Sequence, residues 1–179
     1  MAVVRAATAA MRATSAPAVR ALAARGVHTE AKIEEMGLKL PTPPTPAANY
    51  IMCHRVGNLL FTAGHLPMQE DGQLFNGKVG KDFTTEEAYT AARQCALAIL
   101  GTVKAEIGDL DKVKRVVKLT GFVNCVDAFS AQPKVLNGAS DFMGEVLGER
   151  GVHVRSAVGT NALPMNVPVE VEAIIEIDE

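Results

Sequence analysis

The residue of this 179-residue chain best suited to binding an anion is an arginine in a valine-rich stretch. Arg155 lies in VHVRSAV, where strand alternation puts His153, Arg155 and Ala157 on one face and the valines on the other. A guanidinium in such a position can bind a carboxylate or phosphate through two parallel hydrogen bonds. The alternative that the pattern leaves open is an exposed strand arginine paired with a surface acid.

Two carboxylates near the end of the chain are candidates for proton transfer. Glu170 and Glu172 share the polar face of an alternating segment. One carboxylate of such a pair can act as a general acid or base if it is partly buried. A solvated strand face is the alternative. Tyr50 is either a pocket residue or a half-buried packing residue, and His65 is more typical of a loop histidine than of a base.

Composition argues against several other kinds of site. Cys53, Cys95 and Cys125 are odd in number and far apart, which indicates thiols in a reducing compartment rather than a disulfide framework. Four scattered histidines argue against a structural metal. The sequence has no phosphate-binding glycine loop, HExxH, GxSxG or calcium loop. It also lacks the roughly 18 consecutive uncharged apolar residues of a membrane helix.

The elements that position these residues follow from periodicity and turn signals. Gly57-Asn58 indicates a hairpin turn, 84–87 carries a capping box, and 167–177 alternates apolar with polar residues. The β-β-α-β-α-β-β order predicts one α+β domain with two helices packed on one face of a sheet. The predicted strands are 50–56, 59–64, 113–123, 153–158 and 167–177, and the predicted helices are 84–108 and 132–147.

The first 29 residues differ from the rest of the chain in charge. They hold four arginines and no acid, whereas residues 30–179 carry 14 basic residues against 20 acids, a net charge of −6. This composition predicts an organellar transit peptide at 1–29, mitochondrial in preference to plastid; the alternative is a disordered basic tail on a cytoplasmic protein. Residues 30–46 predict a proline-rich joining arm, and 47–179 a single domain.

The segment RSAVGTNALPMNVPVEVEAIIEI resembles the RidA/YjgF family of reactive-intermediate deaminases, with its Arg-Ser strand start, Leu-Pro turn and terminal V-x-V/I-E-x-E-A strand. The blocks NYIMCHRVGNLLFTAGHLP and VVKLTGFVNCVDAF are similar to family blocks as well, so the resemblance covers nearly all of residues 47–177. It implies a chorismate-mutase-like α+β domain with one mixed sheet. It also implies a homotrimer with sites between subunits and no metal or organic cofactor.

The resemblance implies hydrolysis of 2-imino or enamine acids, such as 2-aminoacrylate, to 2-keto acids and ammonia. By position it assigns Arg155 to the substrate carboxylate and Glu170 to the attacking water. The residues themselves leave Glu172 open as the alternative water-positioning group. The remaining positions that it assigns to the substrate pocket are Tyr50, Gly64 and Asn137.

Three positions depart from the family pattern and bear on the range of substrates. Ala63 stands in place of a serine, His65 in place of a glutamine and Ala157 in place of a cysteine. These departures leave open a non-catalytic trimer that binds small acids or acts as a chaperone. An endoribonuclease is the second alternative, but the net charge of residues 30–179 argues against nucleic-acid binding. No membrane partner is expected.

Overall fold

The computed structural model describes residues 29–46, 48–69 and 71–178. Nearly all of the predicted transit peptide therefore lies outside the described residues. Within them, five strands form one sheet in the spatial order β1-β2-β5-β3-β4. Strands β3 and β4 pair in parallel and the other neighbours are antiparallel, so the predicted mixed sheet is confirmed. The strands are β1 (Cys53–Val56), β2 (Leu59–Thr62), β3 (Val113–Asn124), β4 (Val154–Thr160) and β5 (Val169–Ile177).

Helix α2 (Thr85–Ile107) begins and ends at the residues that its sequence signals predict. The Thr84 hydroxyl accepts the backbone N–H of Glu87 at 3.2 Å, and the Glu87 carboxylate accepts the Thr84 N–H at 2.8 Å. Gly108 ends the helix in the left-handed conformation, with φ +78°, which a glycine adopts without a steric penalty. One face of the helix, from Ala88 to Val103, is buried against the sheet.

Helix α3 (Gln132–Leu147) has the bounds predicted for it and packs closely on its neighbours. A Cβ on Gly138 would lie 1.9 Å from the backbone oxygen of Tyr89, so this glycine permits the close contact between α2 and α3. A Cβ on Gly121, inside β3, would lie 2.3 Å from the side chain of Leu136. The glycine in the predicted strand therefore makes room for a helix side chain.

A third helix, α1 (Thr29–Glu35), precedes the proline-rich segment, and periodicity over so few residues predicts no helix there. Ile33 is 1% exposed and joins the core. The Thr29 N–H and hydroxyl donate to Asp111 at 2.9 and 2.7 Å, and Lys104 pairs with Glu30. Polar contacts to distant residues thus attach α1 to the domain.

The two faces of the sheet differ in how they are covered. Every second residue of β5, from Val169 to Ile177, is buried beneath the helices. On the opposite face, Val154, Val158 and Phe61 are 67%, 45% and 39% exposed. None of the helices in the described ranges is long and apolar enough to span a membrane.

Candidate functional site

Arg155 is held by α3 through three hydrogen bonds. Its Nη1 donates to the Ser140 hydroxyl at 2.8 Å, and its Nη2 donates to the side-chain oxygen of Asn137 at 2.8 Å and to the Pro133 carbonyl at 3.1 Å. Asn137 and Ser140 are three residues apart and so lie on one face of the helix. The helix therefore fixes the orientation of the guanidinium. It also brings Asn137, which the family resemblance assigns to the substrate pocket, to Arg155.

All three acceptors around Arg155 are neutral. No carboxylate forms an ion pair with it in the part of the chain that the structure describes, so the surface ion pair that the pattern left open is not formed there. Its positive charge is partly buried and uncompensated by an acid. Such a guanidinium is suited to an anionic ligand, because a charge-assisted hydrogen bond is stronger than one between neutral groups.

Two residues that the sequence did not assign to the site, Ser140 and His153, belong to the hydrogen-bond network around Arg155. The ring of His153 contacts the Gly151 carbonyl through Nδ1 at 2.6 Å and the Ser140 hydroxyl through Nε2 at 3.0 Å. Ser140 therefore bonds both His153 and Arg155. Strand alternation gave a signal for His153, since it shares a face with Arg155. Ser140 is distant in sequence, and its helical spacing from Asn137 was the only indication.

Glu170 is the opposite case, a carboxylate with no hydrogen bond or ion pair to any described residue. It is half-buried on β5, on the face away from the helices. Burial, and secondarily the charge of Glu172, raises the pKa of Glu170 above its usual range. A partly desolvated carboxylate that binds a proton more readily than usual is suited to general acid–base work.

Gly64 lies directly beneath Glu170. A Cβ on Gly64 would lie 1.8 Å from Oε1 of Glu170, so a larger residue would displace the carboxylate. The adjoining loop is held to β5 because the backbone of His65 exchanges hydrogen bonds with Val171 at 2.8 and 3.1 Å. The structure thus joins two of the predicted site residues, Gly64 and Glu170.

His65 is a structural residue of this loop. It is 2% exposed, with Nδ1 2.8 Å from the Ala63 carbonyl and Nε2 2.7 Å from the Thr102 hydroxyl on α2. Burial lowers the pKa of His65 to about 4, so the ring is neutral at physiological pH. It fastens the loop that carries Gly64 to the helix and does not face solvent as a base would.

A single chain does not bring the arginine and the glutamate together. Arg155 is opposite Leu119, which is opposite Ala173 on the next strand, and Glu170 is three residues from Ala173. Three residues of strand span about 10 Å, and an odd separation puts the side chains on opposite faces. Tyr50 is 48% exposed and no described residue forms a hydrogen bond with its side chain.

A cluster of three acidic side chains lies apart from Arg155 and Glu170. Glu30, Asp109 and Asp111 have carboxylate oxygens within 4.8 Å of one another, and this is the group that has the spacing of metal ligands among the described residues. Glu30 and Asp111 already accept hydrogen bonds from Leu110 and Thr29, and these contacts attach α1.

The thiols of Cys53 and Cys95 are unsuited to nucleophilic attack. Burial, followed by the charge of Glu106, raises the pKa of Cys53 to about 11, and burial raises the pKa of Cys95 well above its usual value. Both are therefore protonated at neutral pH, and the thiolate is the reactive form. Cys53 lines a cleft of about 650 Å³ between the proline-rich segment, β1 and α2, which contains none of the predicted site residues.

Comparisons with known proteins identify a family model and several relatives that are similar to this chain. The family described as "YjgF/chorismate_mutase-like, putative endoribonuclease" matches residues 30–177. The protein TCP17 of Trypanosoma cruzi is 43% identical over 149 residues, which cover 83% of this chain and 93% of that protein.

Solved structures extend the comparison to the whole domain. The protein Atu1372 of Agrobacterium tumefaciens, described as of unknown function, is 46% identical with a TM-score of 0.77, covering 84% of this chain and 94% of that one. A Shewanella oneidensis protein described as a "putative endoribonuclease" is 32% identical with a TM-score of 0.81, covering 84% and 100%. The expected chorismate-mutase-like α+β fold is confirmed.

Proposed function

Since the chain belongs to the RidA/YjgF family, we propose that it hydrolyses reactive 2-imino and enamine acids, such as 2-aminoacrylate, to 2-keto acids and ammonia. The observation that carries this proposal is Arg155, a guanidinium oriented by neutral acceptors and unpaired with any acid among the described residues. A small acid brings the carboxylate that this arginine lacks. A bidentate contact then orients the reacting carbon.

Glu170 supplies the proton transfer. Water attacks the imine carbon and gives a proton to the Glu170 carboxylate as the C–O bond forms. Glu170 passes this proton to the nitrogen, which gives a carbinolamine. Glu170 then takes the hydroxyl proton as the C=O bond forms and the C–N bond breaks, and this second proton goes to the departing nitrogen, which leaves as ammonia. A positioned general base contributes typically about 10²–10⁴-fold to such a step. The raised pKa of Glu170 supports this role, because its affinity for the transferred proton is greater than that of an exposed carboxylate.

We propose that the working unit is a homotrimer in which each site combines residues of two copies. Two observations support this. The register of β3, β4 and β5 separates Arg155 from Glu170 within one chain. The sheet face that carries Glu170 also exposes Val154, Val158 and Phe61, apolar side chains of the kind that oligomer interfaces bury.

Import into mitochondria remains a proposal that the charge of the first 29 residues supports. A fluorescent reporter fused after residue 40 tests it. We expect mitochondrial fluorescence that is lost when Arg5, Arg12, Arg20 and Arg25 are all changed to glutamine. Reporter fluorescence that stays in the cytoplasm with the natural sequence would contradict the proposal.

The decisive experiment is a coupled assay on the full chain. A pyridoxal-phosphate dehydratase generates 2-aminoacrylate, and the release of pyruvate is followed with wild type, Arg155→Ala and Arg155→Lys. We expect acceleration by wild type and a loss of about 10²-fold in kcat/KM for Arg155→Ala, since hydrogen bonds to a charged group contribute about 1.5–3 kcal/mol. Arg155→Lys keeps the charge but loses the fork, so its activity should be intermediate.

Other outcomes would favour the alternatives. A folded wild-type protein that binds pyruvate without accelerating its release would contradict the enzyme and favour a small-acid-binding protein. The name of the Shewanella relative makes RNA cleavage a necessary parallel measurement. Cleavage that falls steeply with added salt, without imine hydrolysis, would favour an endoribonuclease, because phosphate contacts are salt-dependent.

A further inference from the structure

The hydrogen bonds around His153 have a defined direction. The Gly151 carbonyl can only accept, so Nδ1, at 2.6 Å, carries the ring proton. In a neutral ring Nε2 is then an acceptor, and the partner at 3.0 Å, the Ser140 hydroxyl, donates to it. The Ser140 oxygen is left to accept from Nη1 of Arg155 at 2.8 Å. Each of these three hydrogen bonds therefore pairs one donor with one acceptor.

From this arrangement we infer that Ser140 and His153 are positioning residues, which orient the Arg155 guanidinium for the substrate carboxylate. The inference rests on the proposed function, since it deepens the part that Arg155 has in it. Neither residue touches the reacting atoms in this scheme. They act through Arg155 alone, as a relay that runs from Gly151 through His153 and Ser140 to the guanidinium.

The relay matters because the end of the arginine side chain is otherwise weakly restrained. Its other two acceptors, Asn137 and Pro133, are exposed residues at the start of α3. An arginine loses side-chain conformational entropy on binding a ligand, and a guanidinium that is already held in place loses less of it. Ser140 and His153 are both partly buried, so their contact is the better shielded restraint on the guanidinium.

The tautomer of His153 determines whether the relay works. With the proton on Nε2, the ring would donate to Ser140, and the same oxygen would face donors from both His153 and Arg155. The serine proton would then need another acceptor. The short contact from Nδ1 to Gly151 prevents this by fixing the proton on Nδ1. A backbone carbonyl in the turn before β4 therefore sets the orientation of the Arg155 side chain, three hydrogen bonds away.

A purely structural role is the competing explanation, because Ser140 and His153 also connect α3 to β4. The two roles differ in what a substitution changes. A positioning residue affects the binding of the substrate carboxylate and so raises KM, whereas a structural one lowers the free energy of unfolding and the fraction of active protein.

The experiment compares Ser140→Ala with Ser140→Thr, which keeps the hydroxyl. The matched control is Ser130→Ala, at an exposed serine that forms no side-chain hydrogen bond with any residue of the described ranges. In the 2-aminoacrylate assay on the full chain we expect Ser140→Ala to raise KM about tenfold with kcat within about twofold. Ser140→Thr should restore KM, and Ser130→Ala should leave both constants unchanged. An unchanged KM for Ser140→Ala, or a loss that thermal unfolding fully accounts for, would overturn the inference.

A second measurement needs no activity and separates this inference from the proposed function. In the nitrogen-15 NMR spectrum of wild type, His153 should show the tautomer protonated on Nδ1, and Ser140→Ala should shift the Arg155 Nε resonance. Pyruvate added to wild type should shift that resonance too. These shifts without imine hydrolysis would sustain the relay and reject the proposed function. The opposite tautomer, or an Arg155 resonance unaffected by Ser140→Ala, would reject the relay.

Discussion

Arg155 and Glu170 lie on strands that flank β3, yet their surroundings are opposite in kind. Arg155 donates hydrogen bonds to three acceptors, and one of these, Ser140, is also hydrogen-bonded to His153. The glutamate has a glycine beneath it and no hydrogen-bond partner among the described residues. One group is oriented by its neighbours, and the other is left unpaired in a partly desolvated position.

In the proposed reaction the two kinds of surroundings suit two different tasks. A group that binds a carboxylate benefits from a guanidinium held in place beforehand, because conformational freedom lost on binding costs affinity. A group that takes and returns a proton benefits from a perturbed pKa and from having no competing partner. In the proposed trimer one copy supplies Arg155 as the binding half of a site and another copy supplies Glu170 as the proton-transfer half, because the register separates the two groups within one chain.

Subunit mixing tests the two halves with the largest expected effect. Chains with Arg155→Ala and chains with Glu170→Gln, each nearly inactive alone, are unfolded, mixed in equal amounts and refolded. If each site takes its arginine from one copy and its glutamate from the next, about a quarter of the sites in a random trimer are intact. We therefore expect about a quarter of wild-type activity by the pyruvate assay.

The control for mixing is a pair in which both chains carry Arg155→Ala, which should regain nothing. Light scattering of each sample reports whether trimers form. Mixed trimers without regained activity would show that one chain supplies the whole site, and a monomeric wild type would remove the shared site altogether.

Gly64→Ala should impair the proton-transfer half of the site, which contains Glu170, and leave the binding half intact. The new Cβ would occupy the position of the Glu170 carboxylate, so we expect kcat to fall about 10²-fold. The melting temperature should change little, because the flexible end of Glu170 can move away. Combined with Glu170→Gln, the loss should be far less than the product of the two, since both variants remove the same group.

Gly144→Ala is the matched control, as a Cβ there meets no atom within 4 Å. It lies in α3, where alanine is the better helix former, so activity should be kept and stability unchanged or slightly raised. Full activity of Gly64→Ala would show that Glu170 need not lie where the structure has it.

Acid should lower the free energy of unfolding through His65, in the loop that carries Gly64. Burial lowers the pKa of His65 to about 4, below the usual 6.5, so the unfolded chain binds the proton more readily. The stabilising contribution is complete above pH 6.5 and is lost as the pH falls towards 4, with a limit of about 3 kcal/mol. Urea unfolding between pH 7.5 and 4.5 measures it. His65→Gln should flatten this dependence, and parallel curves for the two proteins would refute the assignment.

Glu172→Gln should give the smallest effect. The charge of Glu172 is the second cause of the raised pKa of Glu170, after burial, so its removal should lower that pKa. A base works only when ionised, and the acidic limb of the kcat profile should therefore move to lower pH. Glu176→Gln, on the same strand but paired with Lys114 and Arg115, should leave the limb in place. A shift to higher pH for Glu172→Gln would contradict Glu170 as the base.

Much of the fold could be predicted from local signals. The bounds of α3, the capping box of α2 and the alternation of β5 follow from the residues within each element, and all are confirmed. Strands β4 and β5 begin one or two residues later than predicted, because strand ends depend on pairing with neighbours. Helix α1 was missed, since seven residues show too little periodicity and distant polar contacts stabilise it.

The candidate site divides in the same way. Residue types and strand parity singled out Arg155, Glu170 and their faces, because side-chain direction in a strand alternates whatever the surroundings. The acceptors of Arg155, the contact between Gly64 and Glu170 and the burial of His65 join residues 15 to 106 positions apart. Only tertiary packing brings such residues together. The sequence by itself therefore determined which groups can carry charge. The tertiary structure decided that Arg155 is held by hydrogen bonds, that Glu170 has no partner among the described residues and that His65 is buried.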